Sequence, residues 1–287
     1  ITRKVKSKSG KEVEVKIGIM GHTIPHLTGK THSYAGILTG EDIVENARKQ
    51  AEKLKEMGAD IIIAVSHTGI GPENPELNFK NVAYALTKID DIDVIVCGHE
   101  HNLYPTTDMT SPYYKLPNVD KKTYLMNGKN VVMAGDRGRA IGVVDLVLEV
   151  KGNSVTIADR KSELRMVTEK NTTEDKTIAS MFGEWEEQLL NYSKDVLATL
   201  EPGEVIHNYF GLLTDNAAIQ LLNDAKIHYA LKNITANEKN YAGYPIIAAS
   251  TYESYGVKSI DDFVKISDVI TEANLSALQN YNSYLYV

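Results

Sequence analysis

Val94-Ile95-Val96-Cys97-Gly98-His99-Glu100-His101-Asn102 sets four uncharged apolar residues before a glycine and two histidines at i and i+2. So short an apolar run reads as a strand buried on both faces, in the middle of a parallel or mixed sheet. Ligand sites of open α/β sheets lie just beyond the carboxyl ends of such strands, where Gly98-His99-x-His101 falls. Asp60-Ile61-Ile62-Ile63-Ala64-Val65-Ser66 has the same grammar and delivers His67, followed by Thr68-Gly69. Neutral imidazole is the commonest protein ligand for Zn, Mn, Fe or Co, so two strands ending in three histidines point to a metal site. A lone histidine after a strand is more often a loop or cap residue. It is the combination of His67 with Gly98-His99-x-His101 that favours ligation.

Working outward, the chain alternates strands and helices as a layered sheet does. Residues 1–20 read as a hairpin, with Val13, Val15, Ile17 and Ile19 alternating. Residues 21–40 read as loop, and their His22, His26 and His32 as solvated. Thr39-x-x-Asp42 resembles a capping box before a helix that carries Ile43, Val44, Ala47, Ala51 and Leu54 and ends at Gly58. A helix over Asn78 to Lys88 precedes the strand of the opening stretch. Strands at Lys122–Met126, Asn130–Ala134 and Ile141–Val150 suggest a meander, with Gly152-Asn153 a further turn. Ile178, Met181, Trp185, Leu189, Tyr192, Val196 and Leu200 step by three or four, which predicts a long packing helix that Pro202-Gly203 stops. Beyond it the pattern gives a helix from Asp215 to Lys232 capped by Thr214, a strand at Tyr244–Ala249, a helix at Glu272–Asn280 and a strand at Tyr284–Val287.

The 287 residues, 43% of them hydrophobic, suit two domains with ordinary cores. No apolar run approaches the about 20 residues of a membrane span. The single cysteine, Cys97, excludes an internal disulfide and reads as an inert core thiol. The net charge of −7 belongs to the second half: residues 1–150 carry 19 acidic and 19 basic side chains, residues 151–287 carry 19 and 12. An acidic chain without a basic stripe does not grip nucleic-acid polymers. It can still hold a small phosphorylated substrate where bound cations supply positive charge.

Strand-His67-Thr-Gly, helix and strand, then Gly98-His99-Glu100-His101 resembles the second half of a calcineurin-like metallophosphoesterase domain. With Gly40-Glu41-Asp42-Ile43-Val44-Glu45-Asn46-Ala47, Gly142-Val143-Val144-Asp145-Leu146 and His207-Asn208-Tyr209-Phe210, the chain is similar to the 2′,3′-cyclic-nucleotide 2′-phosphodiesterase/3′-nucleotidase branch of the 5′-nucleotidase family. The resemblance implies an α/β fold, a partial αββα sandwich over residues 1–165. A connecting helix over 172–202 and the start of an α/β substrate-binding domain over 205–287 would follow. It implies two divalent metal ions, Zn, Mn or similar, with His67 and His99 on one and His101 on the other. It also implies a small-molecule nucleotide substrate contacted by Asn216, Ser250, Tyr252 and Tyr255, and an extracytoplasmic location.

The family completes its metal site with Asp-x-His and Asn-His motifs that this sequence lacks, and its catalytic histidine lies in the second of them. No catalytic residue is therefore assigned. The expectation is a fragment of a metal-dependent nucleotide phosphoesterase that is inactive alone, with an exposed sheet edge near Ile61 and Val94. The rivals are a 5′-nucleotidase and a non-catalytic metal- or partner-binding fragment. Nothing in the sequence speaks to oligomeric state.

Overall fold

A computed structural model of the chain describes residues 1–6, 12–25, 37–152, 154–209, 214–236, 243, 245–250 and 264–278. They divide into two units, Ile1–Thr173 and Glu174–Val287.

The first unit follows the order β1 (Thr2–Lys6), β2 (Glu12–His22), α1 (Ile43–Glu56), β3 (Ile61–Ser66), α2 (Ala83–Leu86), β4 (Val94–Cys97), β5 (Leu103–Tyr104), β6 (Asn130–Ala134), β7 (Ala140–Lys151) and β8 (Ser154–Met166). The first six strands form one sheet in the order β1-β2-β3-β4-β6-β5. Its centre, β2-β3-β4-β6, is parallel, and β1 and β5 close the edges antiparallel. This is the mixed α/β architecture that the short apolar runs require.

One face of the sheet carries the core. Met20, Ile62, Ala64, Ile95, Val131 and Met133 are buried there with Ile43, Ala47 and Ala51 of α1. Those three recur every fourth residue, so one stripe of α1 faces the sheet. The cap of α1 is Asp42 and not Thr39: its Oδ1 accepts from the Val44 and Glu45 amides at 2.9 and 3.0 Å. The other oxygen accepts from Asn78 N at 2.6 Å, so one carboxylate starts the helix and anchors a distant loop. A cap of this kind contributes about 1 kcal/mol. Gly58, at φ 82°, ends the helix as its sequence position predicts.

Against the other face lies the β7–β8 hairpin, which packs over β6 and reaches the start of β4, where Arg160 Nη1 donates to the Asp93 carbonyl at 3.2 Å. A Cβ at Gly142 would approach Val132 Cβ to 3.1 Å, and Asn130 Nδ2 donates to Ser162 Oγ at 2.8 Å. On the same face Ile19, Val65 and Val96 stay 50%, 47% and 37% exposed.

Several expectations are corrected here. β3 and β4 are interior strands, so what stands open near them is a face and not an edge. No meander forms: 122–126 runs from a turn to isolated bridges at Met126, and β7 leaves the central sheet to pair with β8. The helix expected over 78–88 shrinks to α2: Asn78 is left-handed at φ 61°, Asn81 bridges to Gly69, and Val82 at φ −137° starts the helix only at Ala83. β2 runs two residues past the expected loop start, since Gly21 and His22 pair in parallel with Val65 and Ser66.

The second unit contains α3 (Lys176–Ser193), β9 (Val196–Thr199), β10 (Val205–His207), α4 (Ala217–Tyr229), β11 (Lys265–Ser267), β12 (Val269–Thr271) and α5 (Glu272–Leu278). β9 pairs with β12 and β10 with β11, both antiparallel, and Ala218, Ile266, Ile270 and Leu278 form a small core. The helix expected to fill 172–202 therefore stops at Ser193. Val196 to Thr199 find a ladder partner in β12, and that pairing overrides the helical period of the apolar residues. α4 is capped by Asn216, whose Oδ1 accepts from Ile219 N at 3.0 Å; the Thr214 hydroxyl donates to the Asp215 carbonyl instead. Among 245–249 there is no strand, and the strand expected at 284–287 lies outside the described residues.

Candidate metal centre

Parallel register brings the strand ends to one level. His22, the last residue of β2, pairs with Ser66, and Ser66 with Cys97. The next residues, His67 and Gly98-His99, therefore leave the sheet side by side. The His67 amide donates to the His22 carbonyl at 2.9 Å, and the Gly98 amide to the Thr68 carbonyl at 2.9 Å. The imidazoles of His67 and His99 meet edge to face, with ring centroids 5.3 Å apart and planes at 70°.

The left-handed turn falls on the histidines themselves, at φ 69° for His99 and 57° for His101, whereas Gly98 does not adopt positive φ. Each such residue costs about 1–2 kcal/mol and persists only where its surroundings over-determine it. Burial lowers the pKa of His99, with His67 and Lys80 adding to the effect and Glu100 opposing it, a direction that favours the uncharged ring. A neutral ring keeps a lone pair for a cation.

His22 was expected to be a solvated loop histidine, and the structure overturns that. Its Nδ1 is 2.8 Å from Ser66 Oγ, and its Nε2 is buried with no hydrogen-bond partner among the described residues. Burial lowers its pKa as well. The signal was present in the sequence, since the alternation that buries Met20 also places His22 on that face, but the Gly21-His22 pair reads as the start of a loop. His26 and His32 lie outside the described residues.

The chemistry fits a metal in part. Two imidazoles delivered by neighbouring strands suit half the coordination shell of one Zn or Mn. Among the described residues, no group of three His, Cys, Asp or Glu side chains is arranged to hold an ion, so His101 does not join His67 and His99 in one cluster. A cavity of about 360 Å³ opens next to this loop, lined in part by Asn102, Asp108, Tyr113 and Arg139.

Of the expected substrate contacts, Asn216 spends its amide on structure: Oδ1 caps α4 and Nδ2 donates to the Tyr209 carbonyl at 3.1 Å. Ser250 Oγ accepts from Lys226 Nζ at 2.9 Å, which puts a cation beside it that the sequence reading did not single out. Tyr252 and Tyr255 lie outside the described residues.

Comparison with known proteins follows this geometry. Residues 8–103 match the calcineurin-like phosphoesterase family. Over 84% of its length the chain is 32% identical to the trifunctional nucleotide phosphoesterase protein YfkN of Bacillus subtilis (strain 168), of which it covers 16%. Over 99% of its length it is 24% identical to a 2′,3′-cyclic-nucleotide 2′-phosphodiesterase/3′-nucleotidase of Yersinia enterocolitica, of which it covers 44%. The crystal structure of the calcineurin-like phosphoesterase YfkN from Bacillus subtilis matches with a TM-score of 0.61 at 29% identity, across 67% of this chain and 57% of that one. The chain thus spans less than half the length of these curated relatives.

Proposed function

We propose that the chain, whose residues 8–103 match the calcineurin-like phosphoesterase family and which has 2′,3′-cyclic-nucleotide 2′-phosphodiesterase/3′-nucleotidases and 5′-nucleotidases among its homologues, serves metal-dependent hydrolysis of nucleotide phosphoesters. The reaction we assign is that of a 2′,3′-cyclic-nucleotide 2′-phosphodiesterase/3′-nucleotidase. The observation that carries the reading is the meeting of His67 and His99 at the ends of two neighbouring parallel strands.

In this reading His67 and His99 hold one divalent ion, Zn or Mn, and His101 a second. Bound there, the ions would supply Lewis-acid polarisation of a phosphoryl oxygen and a water of lowered pKa. The strands fix the rings, burial favours the uncharged form of His99, and the Arg139 side chain in the adjoining cavity offers a positive charge to the phosphate. Ser250, with Lys226 beside it, and Tyr252 and Tyr255 are assigned to the nucleotide; Asn216 contributes by starting α4. A dinuclear centre also needs a bridging carboxylate, and none joins the histidines among the described residues. The 287-residue chain by itself is therefore expected to hold one ion weakly and to turn over little.

The venom 5′-nucleotidases among the homologues support an extracytoplasmic location, and no described helix is long and apolar enough to cross a membrane. The same homologues support 5′-nucleotidase as a second reading.

The test uses the longest natural polypeptide that contains this sequence. His99→Ala should reduce bound metal and cut turnover of a 2′,3′-cyclic nucleotide by about 100-fold or more, beyond the upper end of what losing an outer-shell partner costs. Unchanged metal content by elemental analysis would remove the assignment. Faster hydrolysis of 5′- than of 3′-nucleotides would select the second reading, and no turnover of any nucleotide would leave a non-catalytic binding protein.

A further inference from the structure

The carboxylate of Glu100 lies between the two histidines in sequence and is committed on every side. Its Oε2 accepts from the Ile70 amide at 3.0 Å and from the Tyr113 hydroxyl at 3.2 Å, and its Oε1 from Asn81 Nδ2 at 3.1 Å. The partners are tied down in turn. Asn81 Oδ1 accepts from the Gly69 amide at 3.1 Å, and the Tyr113 hydroxyl accepts from Asn102 Nδ2 at 2.8 Å. The network thus grips the loop after His67 at Gly69 and Ile70, and the loop after β4 at Glu100 and Asn102.

Sterics agree with the hydrogen bonds. A Cβ on Gly69 would collide with Glu100 Cγ and Cδ, so the Glu100 side chain occupies space that only a glycine leaves open. His99 and His101, on either side of it, hold left-handed backbone that neither residue prefers. Such conformations need an external constraint, and the backbone supplies a single bond within the turn, from the Glu100 amide to the Gly98 carbonyl at 2.8 Å.

The geometry points to Glu100 as the positioning residue of the metal centre: its side chain locks the His99–His101 turn onto the His67 loop and so presets the distance between the imidazoles. Its carboxylate is engaged by protein groups, and its action resembles that of the outer partners which orient metal-ligating histidines and whose loss typically lowers affinity 10- to 100-fold. The inference rests on the assignment of these histidines to metal made above.

Two measurements on the 287-residue chain test it. The first needs no metal. In Glu100→Ala the Ile70 amide loses its acceptor, so hydrogen exchange at Ile70 and across residues 98–102 should accelerate at least tenfold while β2 and β6 keep their protection. The second is Zn titration by calorimetry. Glu100→Gln keeps an acceptor for Ile70 but turns an NH2 toward the Asn81 NH2, and affinity should fall about tenfold or more. Asn81→Asp alone sets two carboxylates face to face and should also weaken binding. Combining Glu100→Gln with Asn81→Asp exchanges acid and amide. The carboxylate introduced at position 81 would accept from the Gly69 amide and from the side-chain NH2 introduced at position 100. Affinity should then return to within about threefold of the parent, a recovery that general destabilisation would not give.

Protection unchanged in Glu100→Ala, or a double variant no better than Glu100→Gln, overturns the inference. Recovery in the double variant together with absence of nucleotide turnover in the longer polypeptide would sink the phosphoesterase reading and leave the role of Glu100 standing.

Discussion

Ser66 is 2% exposed, and its hydroxyl faces His22 across two parallel strands. Removing either partner alone leaves the other buried without a hydrogen bond, which costs about 1–3 kcal/mol, whereas replacing both by apolar groups costs much less. Ser66→Ala and His22→Phe are therefore expected to lower the urea unfolding free energy by that amount singly and by less than their sum together. Strict additivity would show that the pair does not interact. Cys97 illustrates the opposite outcome, where the sequence sufficed. Burial pushes its thiol pKa well up, and Sγ lies 3.5 Å from the Val132 carbonyl, so it is inert as its apolar neighbours suggest. What the sequence could not give at this scale was the partner of each polar group. His22 and Ser66 are 44 residues apart, and only strand pairing joins them.

Among the elements, α3 departs furthest from its pattern. Its stripe reads as packing, yet none of its residues is buried, and Met181, Trp185 and Leu189 are 69%, 69% and 65% exposed. An amphipathic period shows that a helix has an apolar side; it does not say what covers that side. Trp185 is the only tryptophan in the sequence, which makes it a clean probe. The native chain should emit at the red, hydrated end of the tryptophan range and be quenched by acrylamide almost as free tryptophan is. Trp185→Ala should shift the unfolding free energy by less than about 0.5 kcal/mol, as surface changes do. A blue-shifted, protected emission would mean the stripe is covered in solution. The central strands were legible for the converse reason. Their apolar residues run unbroken even where Val65 and Val96 stay open on one face, and β3 and β4 fall within about two residues of the expected limits.

At the scale of the first unit, the sheet has one helix-covered face and one on which Ile19, Val65 and Val96 remain open beyond the reach of the β7–β8 hairpin. Parallel strands normally have both faces covered, so this bare patch is expected to promote association in solution. Val65→Lys with Val96→Lys should raise the concentration at which light scattering appears by several-fold while changing stability by less than about 1 kcal/mol, since both sites are already partly solvated. Scattering that ignores both substitutions would place the sticky surface elsewhere. The sequence by itself determined the α/β class, the central strands and the residues at their ends, because burial and turn chemistry are local and leave periodic marks. Only the tertiary structure decided that β6 enters the central sheet while β7 leaves it, that β9 interrupts a helical period, and that Glu100, Asn81, Tyr113 and Gly69 converge on one turn. Those outcomes depend on hydrogen-bond partners and steric contacts between residues distant in sequence, and side-chain type at a single position carries no record of which partner the fold will bring.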